Sequence, residues 1–182
     1  MSEPTLQDHF HLIGIGGAGM SVVAELLASR GATVEGSDRE DSGVLEHLRS
    51  VGVRVYVGHD ASHVDPAAVV VVSTAIRESN PELAIARERG QRVIHRSQAL
   101  ALAASGMRFV GVAGAHGKTS TSGMLAIALA ACGLDPSVAV GGVLPQLGTG
   151  AHLGAGDVFV AEADESVTAL VTSTREKVGL QT

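Results

Sequence analysis

Twice in this chain a short apolar run ends in a glycine-rich turn that leads straight into a helix-forming stretch. The first turn is Gly14-Ile15-Gly16-Gly17-Ala18-Gly19; the second is Gly114-Ala115-His116-Gly117-Lys118-Thr119. A strand, a glycine turn and a helix form the unit that places backbone N–H groups and a helix N-terminus against a phosphate. Two such units in one chain predict two nucleotide-type sites on α/β sheets.

The flanking sequence agrees. Apolar runs at 10–15, 32–36, 53–57, 69–72 and 92–95 read as strands. The stretches 20–29, 44–50, 81–89 and 97–104 read as helices. Strands alternating with helices are the mark of a doubly wound parallel sheet. Asn80-Pro81-Glu82 is a helix start, with a capping Asn, Pro in the first turn and an acid beside it. After Ser105-Gly106 the pattern restarts with a strand at 109–113 and a helix at 119–131. A glycine-rich stretch at 141–156 is expected to be a loop, and 158–161 a strand. The expected fold is α/β: a Rossmann-like parallel-sheet domain over 1–105, then the start of a P-loop α/β domain over 106–166.

Hydrophobic residues make up 45% of the chain but aromatics only 2%, so the core must be built from Val, Ala, Leu and Ile. The net charge of −6 argues against a general nucleic-acid or anionic-membrane binder. The first eight residues lack a basic and apolar leader. The longest nearly apolar run, 124–134, falls short of the ~20 residues a spanning helix needs. A cytoplasmic protein is expected. The single cysteine, Cys132, excludes an intrachain disulfide and reads as a small packing residue. Histidines other than His116 show no metal spacing and read as surface or packing residues.

Gly14, Gly16 and Gly19 match G-x-G-x-x-G, and Asp38 ends the second strand, where a carboxylate can accept from a ribose hydroxyl. Taken alone, this pattern suggests NAD; an ordinary tight turn is the plainer alternative. Ser73-Thr74-Ala75-Ile76 and Arg96 follow later strands on the edge where ligands of such sheets sit. The second turn is sharper. It is a short G-x-x-G-K-[ST] loop, in which Lys118 would reach phosphates and the Thr119 hydroxyl would bind Mg²⁺. Glu162, Asp164 and Glu165 cluster at the end of a later strand, where a carboxylate can reach the same ion.

These motifs, taken in order with Ser37-Asp38, Ala151-His152-Leu153-Gly154 and Glu162-Ala163-Asp164-Glu165-Ser166, resemble the Mur ligases, in particular those that add L-alanine to UDP-N-acetylmuramate. The resemblance covers about residues 10–166; Ala115 stands where the family more often has Thr. It implies a UDP-sugar, and not NAD, at Gly14, Gly16, Gly17, Ala18, Gly19, Met20, Ser37, Asp38, Ser73, Thr74, Ala75 and Arg96. It implies ATP at Gly114, Ala115, His116, Gly117, Lys118, Thr119 and Ser120. Lys118 would be the catalytic cation, and Thr119 and Glu162 the Mg²⁺ ligands. The implied reaction passes the γ-phosphoryl group of ATP to the lactyl carboxylate of UDP-N-acetylmuramate. The amine of L-alanine then attacks the acyl phosphate.

Residues 167–182 do not continue the family pattern. The resemblance therefore implies a partial chain that keeps UDP-sugar binding and lacks ligase turnover, with apolar surface left uncovered. Two alternatives stand beside this reading: a relative that attaches a whole tripeptide, and an NAD-dependent oxidoreductase domain.

Overall fold

The computed structural model describes residues 3–146 and 149–162. The chain divides into two compact units, one ending at Ala103 and the other beginning at Ala104.

The first unit runs β1 (His9–Ile13), α1 (Ala18–Ser29), β2 (Thr33–Asp38), α2 (Gly43–Ser50), β3 (Arg54–Val57), a 3-10 turn (Ala61–His63), β4 (Val69–Val72), α3 (Pro81–Glu88), β5 (Val93–His95) and α4 (Arg96–Ala103). Its five strands are all parallel, in the order β3-β2-β1-β4-β5. This is the doubly wound order, and the chain reverses direction between β1 and β4. The apolar strand centres explain the burial. Phe10, Leu12, Val70 and Val71 are wholly buried, as expected for strands covered on both faces. Ile13, Val70, Leu83 and Ala86 close one core cluster under α3. On α4, Ala99 and Ala103 are small enough for close packing against α1.

One feature of this core is polar. His11 is fully buried between Glu35 at 3.2 Å and Glu82 at 3.4 Å. Around these three groups lie His9, Arg54, Tyr56, His59, Asp60, His63 and Asp65; the ring of Tyr56 stacks on His63 at 4.3 Å. Sequence reading took these histidines as surface or packing residues; His11 is instead the centre of a buried ion-pair network.

Burial works against the charge on His11, but hydrogen bonds and charge from Glu35 and Glu82 outweigh it, so the imidazole keeps its proton above its ordinary 6.5. Burial likewise opposes charge on Glu82 and Glu35. The bonds from His11, helped at Glu82 by Ser37, hold both carboxyls below their ordinary 4.5. The carboxylate contribution to stability is therefore complete above 4.5 and is lost as pH falls through the lowered folded values. The His11 contribution is complete below 6.5 and is lost as pH rises through the raised folded value. Thermal melts against pH should place the maximum for the first unit between those two limits. His11→Gln should flatten the alkaline limb, and a melting temperature that climbs steadily above pH 6.5 would contradict this assignment.

The second unit runs β6 (Arg108–Val112), α5 (Lys118–Ala131), β7 (Ser137–Leu144), β8 (Thr149–His152) and β9 (Val158–Glu162). The strand order is β6-β9-β7-β8, with β8 antiparallel to β7 and the other pairs parallel. The expectation of a loop over 141–156 is corrected. Residues 141–144 end β7 and 149–152 form β8, and the two pair as a hairpin whose register shifts between Ala139 and Leu144.

Glycines after β8 and on α5 allow close packing. A Cβ at Gly154 would lie 2.1 Å from the Asp135 carbonyl oxygen, and one at Gly156 1.9 Å from that of Leu134. At Gly123 a Cβ would meet Leu144 at 2.5 Å, so α5 lies directly against β7. Cys132 is also corrected: it is exposed at the end of α5. Among the described residues no helix is long and apolar enough to cross a membrane.

Candidate functional site

In the first unit the predicted residues gather at the carboxyl edge of the sheet, where β1 and β4 diverge. Gly14 takes φ +76°, a left-handed conformation suited to glycine, and turns the chain out of β1. The amides of Gly14 and Ile15 both donate to the Ser37 carbonyl, at 2.8 and 2.9 Å. Gly17 caps α1 without a side-chain bond, and the first turn of α1 holds no acid. The helix N-terminus therefore presents main-chain N–H groups and a partial positive charge suited to a phosphate. Met20 is 3% exposed, so any part it plays at the turn is through its backbone.

Ile76 lies 3.3 Å from where a Gly14 Cβ would be, which brings the Ser73-Thr74-Ala75-Ile76 turn against the glycine turn. Arg96 opens α4, and its guanidinium lies where Gly19 has no side chain: a Cβ there would be 2.0 Å from Nη1. Gly19 thus makes room for a cation beside the helix N-terminus. Gly19→Val should push this flexible side chain aside while leaving the fold intact. If the UDP-sugar implied by the family resemblance binds here, the expected result is an unchanged melting temperature and an affinity lower by about tenfold or more, the scale of one lost charge-assisted contact. Unchanged affinity would remove Arg96 from the site.

Two of the predicted side chains are already engaged. The Asp38 carboxylate accepts from the Gly16 amide at 2.8 Å and from the Arg39 amide at 2.7 Å, so the acid at the end of β2 closes the turn itself. Ser37 is fully buried, and its hydroxyl donates to Glu82 at 2.5 Å. These bonds give both residues a place in building the turn.

In the second unit β6 ends at Val112 and the exposed loop leads into α5, capped by Gly117 at φ +76°. The Lys118 ammonium folds back over the loop and donates to the Gly114 carbonyl at 2.9 Å. Parallel pairing sets Glu162 at the end of β9 directly beside Val112 at the end of β6. Glu162 therefore stands one strand away from the phosphate loop, on the same sheet edge. A loop with a poised ammonium, the Thr119 hydroxyl at the helix start and one neighbouring carboxylate is a donor set that fits a nucleotide phosphate with Mg²⁺. That ion takes a few hard oxygens and completes its shell with phosphate and water. Among the described residues no group of three or more His, Cys, Asp or Glu forms a metal site. Asp164, Glu165 and Ser166 lie outside the described residues.

Sheet order, two glycine turns and a loop of phosphate-binding type are features of nucleotide-binding α/β proteins. The Mur ligase family, catalytic domain, matches residues 9–108, and the chain belongs to that family. A UDP-N-acetylmuramate–L-alanine ligase of Streptomyces avermitilis is 56% identical over 164 residues, 90% of this chain and 35% of that protein. The ligase of the same name from Nocardioides sp. is 54% identical over 156 residues, 86% of this chain and again 35% of the relative. The chain thus spans about a third of the length of these curated relatives. Among solved structures, a UDP-N-acetylmuramate-alanine ligase from Thermotoga maritima superposes with a TM-score of 0.77 at 32% identity, covering 87% of this chain and 37% of that one. A UDP-N-acetylmuramate:L-alanyl-gamma-D-glutamyl-meso-diaminopimelate ligase from Neisseria meningitides gives the same TM-score and identity, covering 87% and 53%.

Proposed function

We propose that this chain carries the UDP-sugar and ATP sites of a cytoplasmic ligase that joins L-alanine to the lactyl carboxylate of UDP-N-acetylmuramate. The observation that carries the proposal is 56% identity to a ligase of that name across 164 residues, 90% of this chain. In the first unit the Gly14–Gly19 turn and the start of α1 hold the pyrophosphate of the UDP-sugar. Thr74 and Ala75, both exposed, and Arg96 border that site. NAD is disfavoured because the Asp38 carboxylate is already engaged, by the turn's Gly16 amide and by the amide of Arg39.

In the second unit the loop from Gly114 to Ser120 wraps the ATP phosphates. Lys118 exchanges the Gly114 carbonyl for a phosphate oxygen and stabilises charge on the transferred group. Thr119 and Glu162 would hold Mg²⁺, which would supply charge neutralisation for the transferring phosphoryl group. Positioning and charge stabilisation are the whole of the chain's task, since the sugar's carboxylate is the nucleophile that takes the phosphoryl group.

A second reading keeps both nucleotides and changes only the incoming amine to a peptide. Its support is the equal likeness, TM-score 0.77, to the Neisseria meningitides ligase. The identity of the curated relatives favours L-alanine.

The test is a graft of residues 1–162 in place of the matching third of the Streptomyces avermitilis ligase, assayed for phosphate release. Release dependent on ATP, UDP-N-acetylmuramate and L-alanine is expected. A folded graft that accepts only a peptide amine, or releases nothing, would count against the proposal.

A further inference from the structure

The polar cluster inside the first unit is directed at one carboxylate. Glu82 sits in the first turn of α3, itself fully buried, behind a cap made by the Asn80 side chain. Its Oε2 accepts from Ser37 Oγ at 2.5 Å and from His11 Nε2 at 3.4 Å. Its Oε1 accepts from the Asp60 amide at 3.2 Å and from His63 Nδ1 at 3.3 Å. His59 Nδ1 stands 3.5 Å from the same carboxylate and 2.8 Å from Ser37 Oγ. Groups from β1, β2, the segment after β3 and α3 therefore meet at a single side chain.

A buried ion pair is a poor way to gain stability, because apolar residues of similar volume serve as well or better. Its position here has another consequence. Ser37 is tied to Glu82 by its hydroxyl, while its carbonyl receives the amides of Gly14 and Ile15. The next residue, Asp38, holds the Gly16 amide through its carboxylate and the Gly58 amide through its carbonyl. Three successive amides of the glycine turn are thus set by the end of β2, and the end of β2 is pinned from beneath by Glu82.

We propose that Glu82 is a positioning residue for the nucleotide site of the first unit, acting through Ser37 to fix the Gly14–Gly16 turn. The carboxylate acts at a distance: it holds the turn whose own amides are spent on the end of β2, and that turn sets where the N-terminus of α1 stands. The assignment of a UDP-sugar to this turn rests on the function proposed above, whereas the link from Glu82 to the turn rests on geometry alone.

The test uses the whole 182-residue chain and reads amide hydrogen exchange by NMR, then titration with UDP-N-acetylmuramate. Glu82→Gln keeps the volume and removes the charge. Ser37→Ala cuts the tie between the strand end and Glu82, along with the Ser37–His59 contact, and leaves the His11–Glu82 pair in place, so it decides the matter if the first variant folds poorly. Both are expected to speed exchange at Gly14 and Ile15 by about tenfold, the change produced by one hydrogen bond's worth of loosening. Exchange at Phe10 and Leu12 should stay as in the parent, and UDP-N-acetylmuramate affinity should fall by a similar factor.

A purely structural role would instead raise exchange evenly along β1 and β2. That result, or unchanged exchange at Gly14 and Ile15 in Ser37→Ala, would overturn the proposal. Selective loosening of the turn in a chain whose parent binds no UDP-sugar would uphold the positioning role and overturn the choice of ligand.

Discussion

Gly36→Ala is expected to be among the most damaging single substitutions in the first unit, although it adds one methyl group. Gly36 lies in β2 opposite Leu12 of β1. A Cβ there would stand 2.3 Å from the Leu12 carbonyl oxygen, 2.8 Å from Ile15 Cδ1 and 3.0 Å from Ile15 Cβ. The first of these neighbours is backbone in the middle of a parallel ladder and cannot swing aside as a side chain would. Relief requires β1 and β2 to part or Ile15 to leave the core, where it is wholly buried.

Overpacking of this kind costs on the order of 3 kcal/mol. For a unit of this size that lowers the melting temperature by roughly 15 °C. Calorimetry should show the first unit's transition moving while the second unit's stays in place. A shift of only a degree or two would mean that the strands approach less closely at Gly36 than the structure has them.

Lys118→Ala is expected to leave stability almost untouched and to weaken Mg²⁺-dependent ATP binding by about 100-fold, the value of a strong charge-assisted bond to phosphate. The side chain is partly exposed, and its hydrogen bond is to the Gly114 carbonyl of an exposed loop. Little of the fold rests on it. Equilibrium titration with ATP and Mg²⁺, beside a thermal melt, separates the two effects. A variant that binds ATP like the parent would remove Lys118 from the site; one that melts early would give it a structural role instead.

Both glycine turns and the alternating elements were legible in the sequence because backbone requirements leave fixed marks. Positive φ at Gly14 and Gly117 demands glycine, and buried parallel strands demand runs such as Val69–Val72. The second sheet was harder. Residues 141–156 read as a loop because glycine usually breaks strands, whereas Gly141 and Gly142 lie within β7 and Gly150 within β8; Gly154 and Gly156, after β8, are small so that they can lie under the Leu134–Pro136 backbone. Local sequence does not record which distant backbone a glycine faces.

The largest omission was the His11–Glu35–Glu82 network. One signal was present: His11 and Glu35 interrupt otherwise apolar strand centres, where a titratable side chain needs a partner. Glu82 was read only as an acid favouring the helix start. That role is compatible with the structure, and sequence gave no sign of the four donors that converge on it from other elements. Asp38 carries a similar lesson. Its position suggested a ribose acceptor, but the bond that defines it runs to Gly16, inside the same turn.

The most direct test of the account is calorimetric titration of this chain with UDP-N-acetylmuramate, with NAD⁺ and UDP as comparisons. Saturable binding of the UDP-sugar, weaker binding of UDP and no heat from NAD⁺ is the predicted result. Binding of NAD⁺ with none of the UDP-sugar would contradict the account and assign the first glycine turn to a dinucleotide.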